Sequence, residues 1–235
     1  MKYIALIIFI CMLVASCDTT SKFSSPANQT EYNNDTLITQ SLFNDKASTI
    51  SEEGIQKILD GNYKLPEQLN VAIVRIENNQ QKRSYYWNDE AYLKTQQSYM
   101  DLFGEKFKQS PGVIKVSIIP DLLISKIPSF TNIREAAVRM QADVVVIYSI
   151  TSDTYSKYKL FTKTDIKAFA TTQLILLDVR TGLIPFSTIV TKDLLSLKKK
   201  EELDNSEARN RIQNEAVLLT INEIAAKITD FLNKR

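Results

Sequence analysis

The stretch from Ala136 to Ile150, AAVRMQADVVVIYSI, decides the fold because a helical pattern runs directly into a buried strand. Small and apolar residues first recur at the three- and four-residue spacing of a helix face, and an unbroken apolar run follows. Such a run is typical of a strand buried on both faces of a sheet. The sequence therefore predicts a helix over Thr131–Gln141 and a strand over Asp143–Tyr148.

The preceding sequence shows the same alternation of strands and helices. The apolar pattern predicts a strand over Leu69–Ile76, an aromatic-rich helix over Asn88–Lys108 and a second strand over Val113–Ile119. A strand followed by a helix and a further strand favours parallel pairing through right-handed crossovers. The first half of the domain is therefore predicted as β-α-β-α-β.

The following sequence predicts antiparallel pairing and a closing helix. Ile166–Val179 is a long β-rich run, and Arg180-Thr181-Gly182 forms a turn signal before Leu183–Thr191. The last helix carries an apolar stripe that includes Ile212 and Leu219. We therefore predict an α/β fold with a mixed sheet, in which a parallel first half is followed by an antiparallel hairpin and a long C-terminal helix.

Two stretches carry a resemblance to a known superfamily. AAVRMQADVVVIYSI and the later LILLDVRTG, at Leu174–Gly182, are similar to sequences of the envelope lipoprotein superfamily that contains the curli-secretion component CsgG and the penicillin-binding-protein activator LpoB. The resemblance covers about Leu69–Val190 and the terminal helix, with Tyr148-Ser149 where that superfamily has glycine. It implies the same α/β fold and an accessory role in the envelope. Asp178 and Gly182 also suit a tight turn, as an amide acceptor and a residue with positive φ.

The amino-terminal residues predict a bacterial lipoprotein signal. Tyr3–Val14 is an uncharged apolar run that is shorter than a membrane-spanning helix and suits a signal peptide. It leads into Val14-Ala15-Ser16-Cys17, which resembles a lipobox, so that cleavage is expected between Ser16 and Cys17 and acylation at Cys17. Two or three acyl chains would anchor the protein firmly in a lipid membrane. We expect a location in the bacterial cell envelope, in the periplasm-facing outer membrane or in the inner membrane.

Composition divides the chain into three predicted segments. Residues 1–16 form the lipoprotein signal peptide, and residues 17–47 hold the acylated cysteine and a Ser-, Thr- and Asn-rich flexible tether. Residues 48–235 form a single α/β domain. Cys11 lies in the removed segment, which leaves Cys17 as the one cysteine of the mature chain and predicts a fold without disulfides.

The composition excludes several classes of function. The 235 residues include no histidine, which excludes Ser-His-Asp and Cys-His nucleophile pairs and zinc sites that use imidazole. Five scattered glycines form no phosphate-binding loop, and a net charge of +2 does not favour nucleic acid. We expect no catalytic residue, no metal and no cofactor, although a site made of carboxylates alone stays open as the enzyme alternative.

A membrane pore is a further class that the sequence argues against. The candidate insert, Thr151–Asp165, offers fifteen residues, and three lysines interrupt it. A bilayer-crossing strand needs about 9–11 residues with one apolar face, and a pore of this superfamily's type needs a pair of hairpins. The insert is too short for these strands.

Two stretches are candidates for a binding surface. The basic end of Lys192–Lys200 suits anionic headgroups or a partner, and a solvated entrance to the last helix is the alternative. Lys82, Arg83, Tyr85, Tyr86 and Trp87 combine cations and aromatic rings, which are enriched at interface hot spots. Packing of these rings over the end of the sheet is the alternative. We expect a non-catalytic binding or accessory protein for another envelope component. The alternatives are an oligomeric secretion or assembly accessory, whose partner is a second copy of the chain, and then an enzyme.

Overall fold

A computed structural model of the chain describes residues 41–43, 45–46, 49–76, 90–125, 127–157 and 165–234. The α-helices and β-strands of these residues in chain order are α1 (Glu52–Asp60), β1 (Leu69–Arg75), α2 (Glu90–Lys108), β2 (Val113–Ile118), α3 (Phe130–Arg139), β3 (Val144–Lys157), β4 (Asp165–Asp178), β5 (Phe186–Leu197) and α4 (Asn205–Asn233). A short 3₁₀ helix, Asp121–Leu123, lies between β2 and α3. All of the described residues lie in the compact unit formed by residues 35–235. The predicted segment boundaries at residues 16 and 47 stay predictions.

The five strands form one sheet in the order β2-β1-β3-β4-β5. β1 lies between two parallel neighbours, with Val71 opposite Val116 on β2 and Val144 on β3. β3, β4 and β5 are antiparallel, with Thr171 opposite Thr151 and Thr191. This arrangement confirms the predicted α/β fold with its parallel first half, antiparallel hairpin and long C-terminal helix.

Helices cover the sheet on both faces. The larger core lies beneath α2 and α4, where aromatic side chains such as Phe103 pack against alternate strand residues such as Val71 and Ile73. The smaller core lies beneath α3, which contacts Ala72 and Val74 from the other face of β1. The alternation predicted for β1 is therefore confirmed, because successive side chains of a strand point to opposite faces.

The start of α3 is fixed by its cap and by the chain that leads into the domain. Ser129 Oγ accepts a hydrogen bond from the backbone N–H of Asn132, as an N-cap serine does. The N–H of Phe130 donates to the carbonyl of Leu42 at 2.7 Å, and the Phe43 ring stacks on the Phe130 ring at 4.9 Å. Residues 42 and 43 therefore close the exposed end of the smaller core.

The stripe of α4 differs from the predicted one at a single turn. Leu219 is exposed, and Thr220 and Ile221 point inward in its place. Ile212, Ala216 and Thr220 follow each other at four-residue spacing, which turns position 219 away from the sheet. The inward hydroxyl of Thr220 lies 2.6 Å from that of Thr172 on β4, so the polar group is hydrogen-bonded within the core.

β3 is longer than the sequence predicted. The strand continues past Tyr148 to Lys157, pairing with β4 from Val144 opposite Asp178 to Lys157 opposite Asp165. Residues 151–157 of the candidate insert Thr151–Asp165 therefore belong to β3. β5 likewise extends to Leu197, beyond the predicted end at Thr191, because the amino-terminal half of β4 pairs on both sides.

Candidate binding surface

The predicted turn after β4 is held by a buried carboxylate. Asp178 Oδ1 accepts hydrogen bonds from the N–H and the hydroxyl of Thr181, at 2.6 and 2.8 Å. Asp178 Oδ2 accepts from the Tyr63 hydroxyl at 2.8 Å. Gly182 has φ +77°, and a Cβ there would lie 3.1 Å from Phe130 Cζ. The turn needs glycine both for its backbone conformation and for this close approach.

The same contacts give Asp178 a structural role. Burial raises the pKa of the Tyr63 hydroxyl, and the hydrogen bond to Asp178 and the negative charge of Asp178 raise it further. The tyrosine therefore stays protonated and continues to donate. Because both carboxylate oxygens accept hydrogen bonds from the protein, Asp178 stabilises the turn.

The residues that the sequence selected for function lie outside the described residues. These are Ser16, Cys17, Lys82, Arg83, Tyr85, Tyr86 and Trp87. Their roles in cleavage, lipid attachment and partner binding stay predictions. Within the described ranges, no group of three or more acidic, cysteine or histidine side chains could hold a metal ion.

None of the helices between residues 41 and 234 that the structure describes is long and apolar enough to cross a bilayer.

A surface that the sequence did not predict lies on the sheet beyond α3. The smaller core, which lies beneath α3, ends at Ile147 on β3 and at Ile175 on β4. The pairing of β3, β4 and β5 continues well past these positions. Hereafter the open face denotes Thr151, Asp153, Tyr155, Lys167, Phe169, Thr171, Gln173, Ile189, Thr191, Asp193, Leu195 and Leu197. These side chains alternate with residues that point toward α4, such as Ala168 and Ala170.

Aromatic and charged groups meet at the centre of the open face. The Tyr155 and Phe169 rings contact edge to face, with centroids 5.6 Å apart. Lys167 Nζ lies 4.7 Å from the Phe169 ring centroid and 2.9 Å from Asp193 Oδ2. The ammonium group therefore contacts both an aromatic ring and a carboxylate, which holds Phe169 in place at the surface.

Aliphatic side chains line the outer strand of the open face. Ile189 is 64% exposed and Leu195 is 66% exposed, and Leu197 is exposed at the end of the strand. In the described sheet, β5 is an edge strand with a neighbour on one side, β4. An edge strand with exposed apolar side chains can pair with an extended segment of another chain.

The far end of β5 is fixed by a network of charged groups. Arg211 Nε contacts Glu202 Oε1, and Arg211 Nη2 donates to the carbonyl of Leu197 at 3.0 Å. Glu202 Oε2 accepts from the N–H of Lys199, which belongs to the basic run after β5. The hydrogen bond from Arg211 lowers the pKa of Glu202, so the pair stays ionised. The network joins the end of β5, at Leu197 of the open face, to Arg211 of α4.

The sequence contained one signal for the open face. After Tyr148, the residues Thr151, Asp153 and Tyr155 alternate with smaller polar residues, which is the two-residue period of a strand. Tyr155 contacts Phe169 on β4, and Lys167 on β4 pairs with Asp193 on β5, so these contacts join strands that are distant in the sequence. No local pattern predicts which rows these residues form.

Comparisons with known proteins give structural likenesses at low identity. No protein-family model matches the chain, and no curated protein matches it. A hypothetical protein from Chlamydia trachomatis is 13% identical with a TM-score of 0.41, over 72% of this chain and 99% of that one. A Xanthomonas campestris protein is 10% identical with a TM-score of 0.39, over 74% and 91%. A minor lipoprotein from Acinetobacter baumannii is 9% identical with a TM-score of 0.32, over 72% and 92%. Likenesses at this level assign neither a family nor a function.

Proposed function

We propose that the protein is a lipid-anchored bacterial envelope lipoprotein that binds another envelope protein and catalyses no reaction. The anchor is supported by the apolar run that leads into Val14-Ala15-Ser16-Cys17. An accessory role agrees with the resemblance to the superfamily of CsgG and LpoB.

The open face is the observation that carries the binding role. It combines exposed aliphatic side chains, a half-buried aromatic ring and a free strand edge within the described sheet. Its central charges, Lys167 and Asp193, pair with each other and leave no strong field of one sign. This chemistry suits an extended protein segment that pairs along β5 and packs its side chains against Ile189 and Leu195.

The anchor is tested by blocking acylation. A Cys17→Ala variant should keep its signal peptide and lose the lipid-dependent mass increase, whereas a Cys11→Ala variant should be processed normally. Mass spectrometry of the purified chains reads both changes. Normal cleavage and acylation in the Cys17→Ala variant would exclude this anchor.

The binding surface is tested by position-specific photocrosslinking in cells. A photoreactive amino acid at position 195 should give a discrete adduct with one envelope protein, and Ile189→Asp should abolish it. The same probe at Ile114, an exposed residue of the opposite edge strand, serves as the matched control. Equal adducts from positions 195 and 114 would count against the open face.

An oligomer is the second candidate, and the free edge of β5 favours it. In that case the adduct would contain two copies of the processed chain, whose mass before cleavage is 26.8 kDa. Light scattering of the purified protein would then give a multiple of the monomer mass, which Ile189→Asp would reduce. A monomeric protein with an adduct of another composition would exclude the oligomer.

A further inference from the structure

A second apolar surface lies between β2 and α3. The Leu122 side chain is 96% exposed, and Leu123 and Ile127 are exposed beside it. Ile124, between them, points inward and packs against the core beneath α3. Hereafter the apolar loop denotes Leu122, Leu123 and Ile127. Three exposed aliphatic side chains in one short connection form a patch of the kind that contacts a partner or a lipid surface.

The backbone of this connection is held by its own hydrogen bonds. The N–H of Leu123 donates to the Pro120 carbonyl at 2.9 Å, and the N–H of Ile124 donates to the Asp121 carbonyl at 3.1 Å. The Ser125 hydroxyl lies 3.1 Å from Asn132 Oδ1 in the first turn of α3. The outward position of Leu122 is therefore part of an ordered turn that Ile124 fixes to the core.

The segment that leads from the predicted anchor into the domain contacts the first turn of α3, as does the connection that carries the apolar loop. Leu42 and Ile124 pack against the same core, and the Leu42 carbonyl accepts from Phe130 at the start of α3. Ser41, the first described residue, comes 24 positions after Cys17. A random-coil segment of that length averages about 27 Å between its ends. An anchor at Cys17 would therefore hold this end of the domain near the membrane surface.

We propose that the apolar loop inserts into the surface of the lipid bilayer that carries the Cys17 anchor. This proposal rests on the lipid anchor proposed above. Interfacial apolar groups reach about 5–10 Å into the boundary between headgroups and acyl chains. Because the tether raises the local concentration of lipid at the loop, three aliphatic side chains suffice for a lasting contact. The contact orients the domain, so that α3 and the joining segment face the membrane.

The test places a tryptophan reporter in the loop. The acylated protein is purified from membranes as Trp87→Phe/Leu122→Trp, so that its tryptophan emission comes from one position. It is reconstituted into phosphatidylethanolamine and phosphatidylglycerol vesicles that contain brominated lipid, which quenches tryptophan on contact. Lipid brominated near the headgroup end of its acyl chain should quench position 122 more strongly than lipid brominated near the chain terminus. The emission should also shift to shorter wavelength.

The matched control is Trp87→Phe/Leu59→Trp. Leu59 is also a highly exposed leucine, at 73%, and it lies on α1 outside the core that holds Leu42 and Ile124. Quenching at position 122 should exceed quenching at position 59 several-fold. Equal quenching at the two positions would overturn the proposal. A shift to shorter wavelength at position 122 without quenching would also overturn it, because a protein would then cover the loop.

Failure of the loop and failure of the anchor are read separately. Mass spectrometry of the same sample reports whether Cys17 carries acyl chains. If it carries none, the anchor is wrong, and the reporter is then read in a Cys11→Ala form whose Cys17 thiol is coupled to a maleimide-headgroup lipid. Quenching in that form supports the loop contact, and unchanged emission from position 122 refutes it.

Discussion

Replacement of Thr220 with valine should destabilise the protein more than replacement of Thr172 with valine. Both side chains are fully buried, and their hydroxyl oxygens are 2.6 Å apart. Thr220 Oγ1 also lies 2.7 Å from the Val217 carbonyl, which can only accept. Because each hydroxyl has one hydrogen, Thr220 donates to Val217 and Thr172 donates to Thr220. Because of these donor directions, the two threonines contribute unequally to the stability of the fold.

The magnitudes follow from what each substitution leaves unpaired. Thr220→Val leaves the Thr172 hydroxyl as a buried donor without an acceptor, which costs about 1–3 kcal/mol of unfolding free energy. Thr172→Val removes the donor and leaves Thr220 still donating to Val217, so the cost is nearer the net value of one hydrogen bond, about 0.5–1.5 kcal/mol. Replacing both by valine leaves neither group unpaired. The double variant should therefore be more stable than Thr220→Val alone.

The assay is equilibrium urea unfolding followed by circular dichroism, with the slope against urea compared among variants. Thr229→Val is the matched control, because Thr229 is a half-buried threonine of α4 whose hydroxyl donates to the Ala225 carbonyl at 3.0 Å. It should change the unfolding free energy less than Thr220→Val. A larger loss for Thr172→Val than for Thr220→Val, or additive losses in the double variant, would refute the assigned order.

Three further predictions concern the turn, a buried tyrosine and the end of β5. Gly182→Ala should lower the free energy of thermal unfolding by more than about 1 kcal/mol because of the positive φ at that position. Gly104→Ala on α2, where a Cβ would lie in ordinary contact with Val116 Cγ1 at 3.9 Å, should raise it by about 0.5–1 kcal/mol; equal effects would contradict this. Burial raises the pKa of Tyr99 to about 12, so that this tyrosine ionises at lower pH in the unfolded chain than in the folded one. Its contribution to the free energy of unfolding is therefore complete below pH 10 and is lost between pH 10 and 12. Urea titrations across that range should show a steeper loss for the parent than for Tyr99→Phe, and parallel curves would contradict this. Glu202→Gln should speed hydrogen exchange at the Lys199 amide, because Glu202 accepts from it and pairs with Arg211; unchanged exchange would exclude the network as a restraint.

Local patterns predicted much of the fold. The helix before β3 and the buried start of β3 were predicted correctly. The apolar spacing within Ala136–Tyr148 is enough to predict both, without contacts from other parts of the chain. The turn role of Asp178 was also predicted, since its amide contacts lie within three residues. The Tyr63 contact with the same carboxylate spans 115 residues and has no local signature.

The candidate surfaces were less accessible to prediction. The polar half of β3 lies within the candidate insert, where no buried apolar run marks a strand, and pairing with β4 makes it one. The open face combines rows from three strands, such as Thr151, Thr171 and Thr191, whose registers the sequence does not contain. Lys82–Trp87 was selected by composition and lies outside the described residues.

The strict alternation of β4 has a consequence for how the protein can change. Ile166, Ala168 and Ala170 are almost fully buried beneath α4, and the intervening Lys167 and Phe169 belong to the open face. Positions that maintain the core and positions of the open face therefore alternate along this part of the strand. Natural variation at positions 167 and 169 can alter the chemistry of the open face while positions 166, 168 and 170 preserve the fold. This surface can thus change through substitutions that the core does not oppose.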